Sequence, residues 1–317
     1  MKKLICLTMA LLLALSCVSL AAAEDKTYNI GIVQLVQHPA LDEATRGFKE
    51  ALTALLGDKV KFDEQNASGD SAACTTIATT FVANEVDLIM ANATPALQAA
   101  MNATGEIPIL GTSITDYATA LDMKDWKGTT GINVSGTSDL APLDGQAAMV
   151  KEMFPDAKTV GLVYCSAEAN SLYQVNVMKG YLTEMGMECK EYPFTDSNDV
   201  ASVAQSATEC DVLYIPTDNT AATYAETIAN VVIPANKAVI AGEEGICKGC
   251  GVATLTISYY DIGYKTGEMA YEILVNGADV STMEIAMAPQ FTKKYCKANC
   301  DALGITPPAD YVAIDAE

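Results

Sequence analysis

Histidine and tryptophan each occur once in the 317 residues, at His38 and Trp126. A lone His38 has no nucleophile or orienting acid at a spacing that would make it a general base, so the usual signature of acid–base or covalent catalysis is missing. Cationic residues are also scarce. There are 19 Lys and Arg against 40 Asp and Glu, a formal net charge of −21. Such a surface repels phosphate backbones and anionic lipid, which disfavours nucleic acid and membrane surfaces as partners. No Gly-x-Gly-x-x-Gly follows the first strand, and no phosphate loop with its lysine occurs, so nucleotide binding is not expected. No cofactor and no metal are assigned. Beyond residue 23 no apolar run is long enough to span a bilayer.

What is present begins with an export signal. Lys2 and Lys3 precede an apolar stretch at 4–20, and Ala21-Ala22-Ala23 form a small-residue cleavage site. The alternative is a lipoprotein signal with Cys17 as the lipidated residue. Both place the protein outside the cytoplasm, periplasmic or at the cell surface. Cleavage after Ala23 leaves 317 − 23 = 294 residues, a length that suggests two domains, and a net charge of −21 − 2 = −23. It also leaves 10 − 2 = 8 cysteines. The close pairs are Cys247 with Cys250 and Cys296 with Cys300. In an oxidising compartment disulfides are the first reading. A four-thiolate zinc site is the second. A redox-active Cys-x-x-Cys is the third, and Gly249 and Gly251 place that pair in a loop. Cys74, Cys165, Cys189 and Cys210 sit in apolar contexts and read as core thiols.

Strand and helix signals alternate along the chain. Short β-rich runs at 28–34, 60–64, 88–90 and 107–110 are separated by helical periodicity at 41–56, 71–84 and onward from Pro95. A second cycle has strands at 159–164, 188–193, 212–215, 239–241 and 252–257. Its helices fall at 140–154, 170–185, 200–207, 221–232 and 259–275. Alternation of this kind predicts an α/β fold of two doubly wound parallel-sheet units, with 124–138 as the crossover between them.

Five strand ends share one design: residues 34–39, 91–95, 112–116, 216–220 and 242–245. In open α/β sheets ligands sit beyond the carboxyl ends of the strands. These ends carry hydroxyls, amides and carboxylates, the chemistry of holding a small polar molecule.

At this point the chain resembles the ABC-transporter substrate-binding family whose members include tryptophan-binding and other aromatic-amino-acid-binding lipoproteins. The residues that carry the resemblance are Gly31-Ile32-Val33-Gln34 with His38-Pro39-Ala40-Leu41-Asp42, the run 91–98, Thr115-Asp116, the runs 131–136 and 155–158, Glu168-Ala169-Asn170-Ser171, the run 216–220, and Gly263-Tyr264-Lys265-Thr266-Gly267. The resemblance implies a type I periplasmic-binding-protein fold, with two lobes joined by a hinge and a ligand enclosed between them. Lobe 1 would be 24–135, joined by 258–280. Lobe 2 would be 136–257, joined by 281–292, with 293–317 a surface tail. The chain departs from the family at Tyr117, where proline is common, and at Cys247 and Cys250 beside the Gly-Glu-Glu-Gly loop.

An α-amino acid held in such a cleft needs acceptors for its ammonium and donors for its carboxylate. Asp218, Glu243, Glu244 and Asp116 are the acceptor candidates. Thr94, Ser113, Thr115, Asn170, Ser171 and Thr220 are the donor candidates, aided by helix N-termini. Gln34, His38, Tyr117 and Asn219 complete the candidate set. Helix capping explains most of these residues equally well. The adjacent acids 243 and 244 are not an obvious cap. The expected function is an extracytoplasmic solute-binding protein of an ABC importer. Its expected partners are an amino acid-like ligand, aromatic or apolar in side chain, and a membrane permease; the protein itself is expected to be a monomer and not an enzyme. A sugar or other small solute, a ligand sensor for a membrane receptor, and a Cys-x-x-Cys redox protein are the alternatives.

Overall fold

The computed structural model describes residues 26–314; the export signal and Cys17 lie outside the described residues. The first half supplies β1 (Tyr28–Gln34), β2 (Val60–Asn66), β3 (Leu88–Asn92), β4 (Ile109–Ile114) and β5 (Val134–Ser138). The second supplies β6 (Thr159–Cys165), β7 (Glu188–Phe194), β8 (Val212–Ile215), β9 (Val239–Ala241) and β10 (Ala253–Thr256). Short strands β11 (Ala286–Met287), β12 (Thr292–Tyr295) and β13 (Val312–Ala313) follow. Two sheets result, ordered β11-β5-β4-β3-β1-β2 and β13-β12-β10-β9-β8-β6-β7. All pairings are parallel except β10 with β12.

The two sheets have the same winding. Read from the far edge, the first runs second, first, third, fourth, fifth strand, and the second repeats that order with β7, β6, β8, β9 and β10. The winding therefore reverses between β1 and β3 in one lobe and between β6 and β8 in the other. These are the switch points at which open α/β sheets form a crevice. Central strands β3 and β4 are buried along their whole length, while edge strand β2 has no buried residue. That is the burial expected of a parallel sheet covered on both faces.

The helices in order are α1 (Pro39–Leu56), α2 (Ser71–Ala83), α3 (Thr94–Ala103), α4 (Tyr117–Ala120), α5 (Leu143–Met153), α6 (Ala169–Glu184), α7 (Val200–Ala207), α8 (Asn219–Thr223), α9 (Ala225–Val232), α10 (Glu244–Cys250), α11 (Tyr259–Leu274) and α12 (Lys297–Leu303). Pro39 opens α1, where its missing N–H is not needed. Leu41, Ala44, Phe48, Ala51 and Leu52 form its buried stripe. Helix α11 follows the second lobe in sequence yet packs on α1 in the first. Glycines let the two backbones approach. A Cβ on Gly263 would lie 2.0 Å from the Ala44 carbonyl oxygen, and one on Gly47 would lie 2.2 Å from that of Tyr260.

The chain crosses between lobes three times: from β5 to α5, from β10 to α11, and from β11 to β12. Strand β5 lies wholly in the first sheet and runs through the position set as the boundary, residue 136. The tail from 293 does not simply lie on the surface, since β12 and β13 extend the second sheet.

The cysteine region differs from expectation. Cys247 and Cys250 lie on helix α10 rather than in a loop, because the Glu243 carboxylate accepts from the N–H groups of Gly245 and Ile246 and caps the first turn. The eight described cysteines are free thiols, and among the described residues no group of three or more His, Cys, Asp or Glu could hold a metal. Cys250, Cys296 and Cys300 each direct Sγ to a backbone carbonyl, of Ile246, Lys248 and Val252.

Candidate functional site

The switch points of the two sheets face each other. From the first lobe come the loop after β1, carrying His38, and the end of β4. From the second come Glu168, in the loop after β6, and Asn170, in the first turn of α6, with Thr217 and Asp218 in the loop after β8 and Asn219 at the start of α8. Between them is a narrow space of about 10 Å³, room for about one water, lined by His38, Leu41, Ser113, Thr115, Asp139, Asn170, Thr217, Asp218, Asn219, Ala222, Glu243 and Tyr259. His38 Nε2 and Asn219 Oδ1 meet at 3.3 Å across the gap.

Polar atoms without partners concentrate here. Among the described residues six buried side-chain nitrogen or oxygen atoms lack a hydrogen bond. Four of them belong to residues lining this space: His38 Nδ1, Ser113 Oγ, Asp139 Oδ1 and Asn170 Oδ1. An unpaired buried polar group costs free energy, so four lining one space mark a place built to be completed by something else.

Local backbone geometry helps to aim them. Ser113 has φ of 57°, and the β4–β5 register shifts between Gly111 and Ile114. A bulge of this kind re-aims a side chain at a strand end. Asp139 sits on the first crossing between lobes and is 4% exposed. Tyr259, on the second crossing, donates its hydroxyl to Asp139 Oδ2 at 3.0 Å. The hinge and the crevice thus share side chains.

Burial dominates the electrostatics. It pushes Asp139 up to about 6 and Glu243 up to about 7, against the hydrogen bonds each accepts. Asp218 is pushed upward by burial and then by the Glu168 charge. Burial lowers His38, partly offset by its bond to Asn219 and by the Glu168 and Asp42 charges.

The fourteen residues expected from the sequence divide into two groups. His38, Ser113, Thr115, Asn170, Asp218, Asn219 and Glu243 line the crevice. Asp218 is nevertheless committed to the chain: Oδ2 accepts from Cys165 N and Ser171 Oγ, and Oδ1 from Ala221 N. Glu243 is the α10 cap. The others lie outside the lining. Gln34 bonds Val36, Asp42 and Thr45 inside lobe 1. Thr94 is buried at the start of α3, and Asp116 caps α4 by accepting from Thr119 N. Tyr117 turns under the sheet, where its hydroxyl donates to Gly111 O and Thr137 O and its ring stacks on Trp126. Ser171 supports Asp218, Thr220 bonds Glu168, and Glu244 pairs with Lys294 at 2.6 Å.

Sequence reasoning missed Asp139, Thr217 and Tyr259 as site residues. Asp139 had a usable signal, an acid directly after the small polar run at 135–138. Tyr259 had none beyond its place after the capping Ser258.

Two doubly wound lobes, three crossings and an unsatisfied polar crevice at the facing switch points define a hinged solute-binding protein. Comparison with known proteins gives the family. A model described as ABC transporter substrate binding protein matches residues 29–313. The chain is 40% identical over 253 residues, 78% of its length and 73% of the relative's, to a tyrosine-binding protein of Clostridioides difficile (strain R20291). It superposes with a TM-score of 0.86 and 31% identity on an ABC domain in complex with L-Trp from Streptococcus pneumoniae, covering 91% of this chain and 100% of that one. Against a ligand-free, open substrate-binding protein with adhesive properties from Clostridium difficile the TM-score is 0.70 at 37% identity, covering 92% and 100%. The chain belongs to the ABC transporter substrate-binding family. The better superposition on the complex, despite lower identity, accords with lobes that are closed on each other. Members of this family are binding proteins that serve a membrane permease from outside the cytoplasm. Among the described residues no helix is long and apolar enough to cross a membrane.

Proposed function

We propose that this protein binds an aromatic α-amino acid, tyrosine or tryptophan, in the crevice between its lobes. The observation that carries the reading is the convergence there of four buried atoms with no partner, one of them a carboxylate oxygen. The ammonium pairs with Asp139 Oδ1, a charge-assisted bond in a buried site. Ser113 Oγ donates to the ligand carboxylate. Leu41, Ala222 and the Tyr259 ring supply the apolar wall. What the two relatives named above bind supports the ligand class. Because Asp139 and Tyr259 also tie two of the three crossings together, a ligand on Asp139 favours the closed arrangement of the lobes by its contacts there.

The mature protein acts as an exported monomer, anchored through lipid if Cys17 is the processed residue; intact mass of the natively expressed protein distinguishes that from cleavage after Ala23. The ligand reading is tested by thermal-shift screening of the mature chain against L-tyrosine, L-tryptophan, L-phenylalanine, L-leucine and hexoses. Aromatic amino acids should raise the melting temperature through linkage. A shift with hexoses and none with aromatic amino acids would overturn the reading.

A further inference from the structure

Glu168 does not line the ligand space, yet more hydrogen bonds end on it than on the other acids around the crevice. Five donors converge on its two oxygens. Oε2 accepts from Asn170 Nδ2 at 3.0 Å, Asn219 N at 3.0 Å and Asn219 Nδ2 at 2.7 Å; Oε1 accepts from Thr220 N at 2.9 Å and Thr220 Oγ1 at 2.8 Å. The residue is 5% exposed.

This arrangement settles two amide orientations that would otherwise be ambiguous. If Asn219 were flipped, its oxygen would face the Glu168 carboxylate at 2.7 Å, acceptor against acceptor. Its Nδ2 therefore points at Glu168 and its Oδ1 at His38 Nε2. That contact needs a proton on Nε2, so neutral His38 has a bare lone pair on Nδ1, the atom left without a partner. Asn170 follows the same logic. Its Nδ2 is held by Glu168 and by the Thr217 carbonyl at 3.1 Å, which leaves Oδ1 unpartnered. Together with Asp139 Oδ1, three of the four unpartnered atoms are acceptors and the fourth is a hydroxyl.

We propose that Glu168 is a positioning residue that sets the polarity of the crevice: by taking the N–H ends of Asn170 and Asn219 it presents Asn170 Oδ1 and, through Asn219, the Nδ1 lone pair of His38 to the ligand, so that the site selects a group donating several N–H bonds. A primary ammonium has three such donors and matches three acceptors. A des-amino acid with the same ring and carboxylate leaves all three unpaired. This rests on the proposed amino acid ligand for its selectivity, but the His38 tautomer stands without any ligand.

His38 is the only histidine, so tag-free mature protein labelled with [15N]histidine has a single pair of ring nitrogen resonances. The ligand-free protein at neutral pH should carry its proton on Nε2, and saturating L-tyrosine should move the Nδ1 resonance in the direction of hydrogen-bond acceptance. In Glu168→Gln the new NH2 faces either the Thr220 donors or the Asn170 and Asn219 donors, and in the second arrangement an asparagine amide turns over. The tautomer then becomes mixed, and the ratio of affinities for L-tyrosine and 3-(4-hydroxyphenyl)propionate falls at least about tenfold, the scale of one hydrogen bond to a charged group. If Glu168→Gln does not fold, two replacements of His38 separate its ends. His38→Asn keeps an amide near Nδ1, and His38→Gln keeps one near Nε2; the first should retain more L-tyrosine affinity. A proton on Nδ1 in the ligand-free chain, or the reverse order of the His38 variants, would overturn the polarity argument even if L-tyrosine binds. Wild-type protein that does not bind L-tyrosine or L-tryptophan would overturn the ligand reading and with it the selectivity claim.

Discussion

Replacing Asp139 with asparagine should strengthen the ligand-free fold and weaken ligand binding at the same time. Burial raises this carboxyl from 3.8 to about 6. An acid whose folded-state value is raised imposes no penalty below its unfolded value and the full penalty above its folded one. At roughly 1.36 kcal/mol per pH unit, keeping Asp139 charged at pH 7.5 costs the fold up to about 3 kcal/mol. Asparagine keeps the shape and can still accept from Tyr259. It exchanges one unpartnered atom for another, so the gain expected in the ligand-free protein is about 1–3 kcal/mol. In a protein of this size each kcal/mol is worth about 2–4 °C in melting temperature. Binding should move the other way, since loss of a charge-assisted hydrogen bond to the ammonium costs about 1.5–3 kcal/mol, roughly 10- to 150-fold in Kd. Thermal unfolding without ligand and calorimetry with L-tyrosine read the two effects. The stability gain should shrink as pH falls from about 6 to about 4, the range over which wild-type Asp139 takes up its proton. An Asp139→Asn protein that melts lower than wild type and binds L-tyrosine unchanged would refute the reasoning.

The other predictions follow from the same geometry. Asp218→Ala should lower stability by about 2–4 kcal/mol, because it removes the α8 cap and strands Cys165 N and Ser171 Oγ; chemical denaturation checks this, and its effect on L-tyrosine affinity should be smaller than that of Asp139→Asn. The ligand-free wild type should lose stability as pH rises from about 4 to 7, as Asp139 and Glu243 are forced to ionise in their buried sites; a melting temperature that climbs steadily across that range would contradict it. Gly47→Ala should destabilise by about 1–3 kcal/mol, since the new methyl meets the Tyr260 carbonyl oxygen at 2.2 Å and α1 must separate from α11; denaturant midpoints measure it.

Much of this architecture was legible from periodicity. Strand β1 and the continuous apolar runs of β3 and β8 announce a parallel sheet. The helix at 259–275 was placed in the first lobe by family resemblance, and its glycines at 263 and 267 show the physical reason. Long-range pairing was not legible. Strands β11 to β13 are two to four residues long and have too little pattern to distinguish sheet edge from tail. The helix expected at 221–232 is broken at Tyr224 into α8 and α9, a break that apolar spacing alone does not mark.

The site was half legible for a related reason. Residues at strand ends can be listed from sequence, but whether a side chain faces the crevice or serves its own loop depends on hydrogen-bond commitments made across the fold. Asp218 and Glu243 looked like the free acids, yet both cap helices. Tyr117 looked like a ligand contact, yet its hydroxyl holds β4 and β5 together. Asp139 was passed over because it falls between a strand and a helix, in a crossing that becomes part of the crevice only when both lobes are assembled.

A crystal structure of the mature protein grown with L-tyrosine tests the central claim most directly. The amino acid should lie between the lobes with its nitrogen about 3 Å from Asp139 Oδ1 and contacts to residues of both sheets. Tyrosine bound on one lobe alone, or in the crevice with its carboxylate against Asp139, would contradict it.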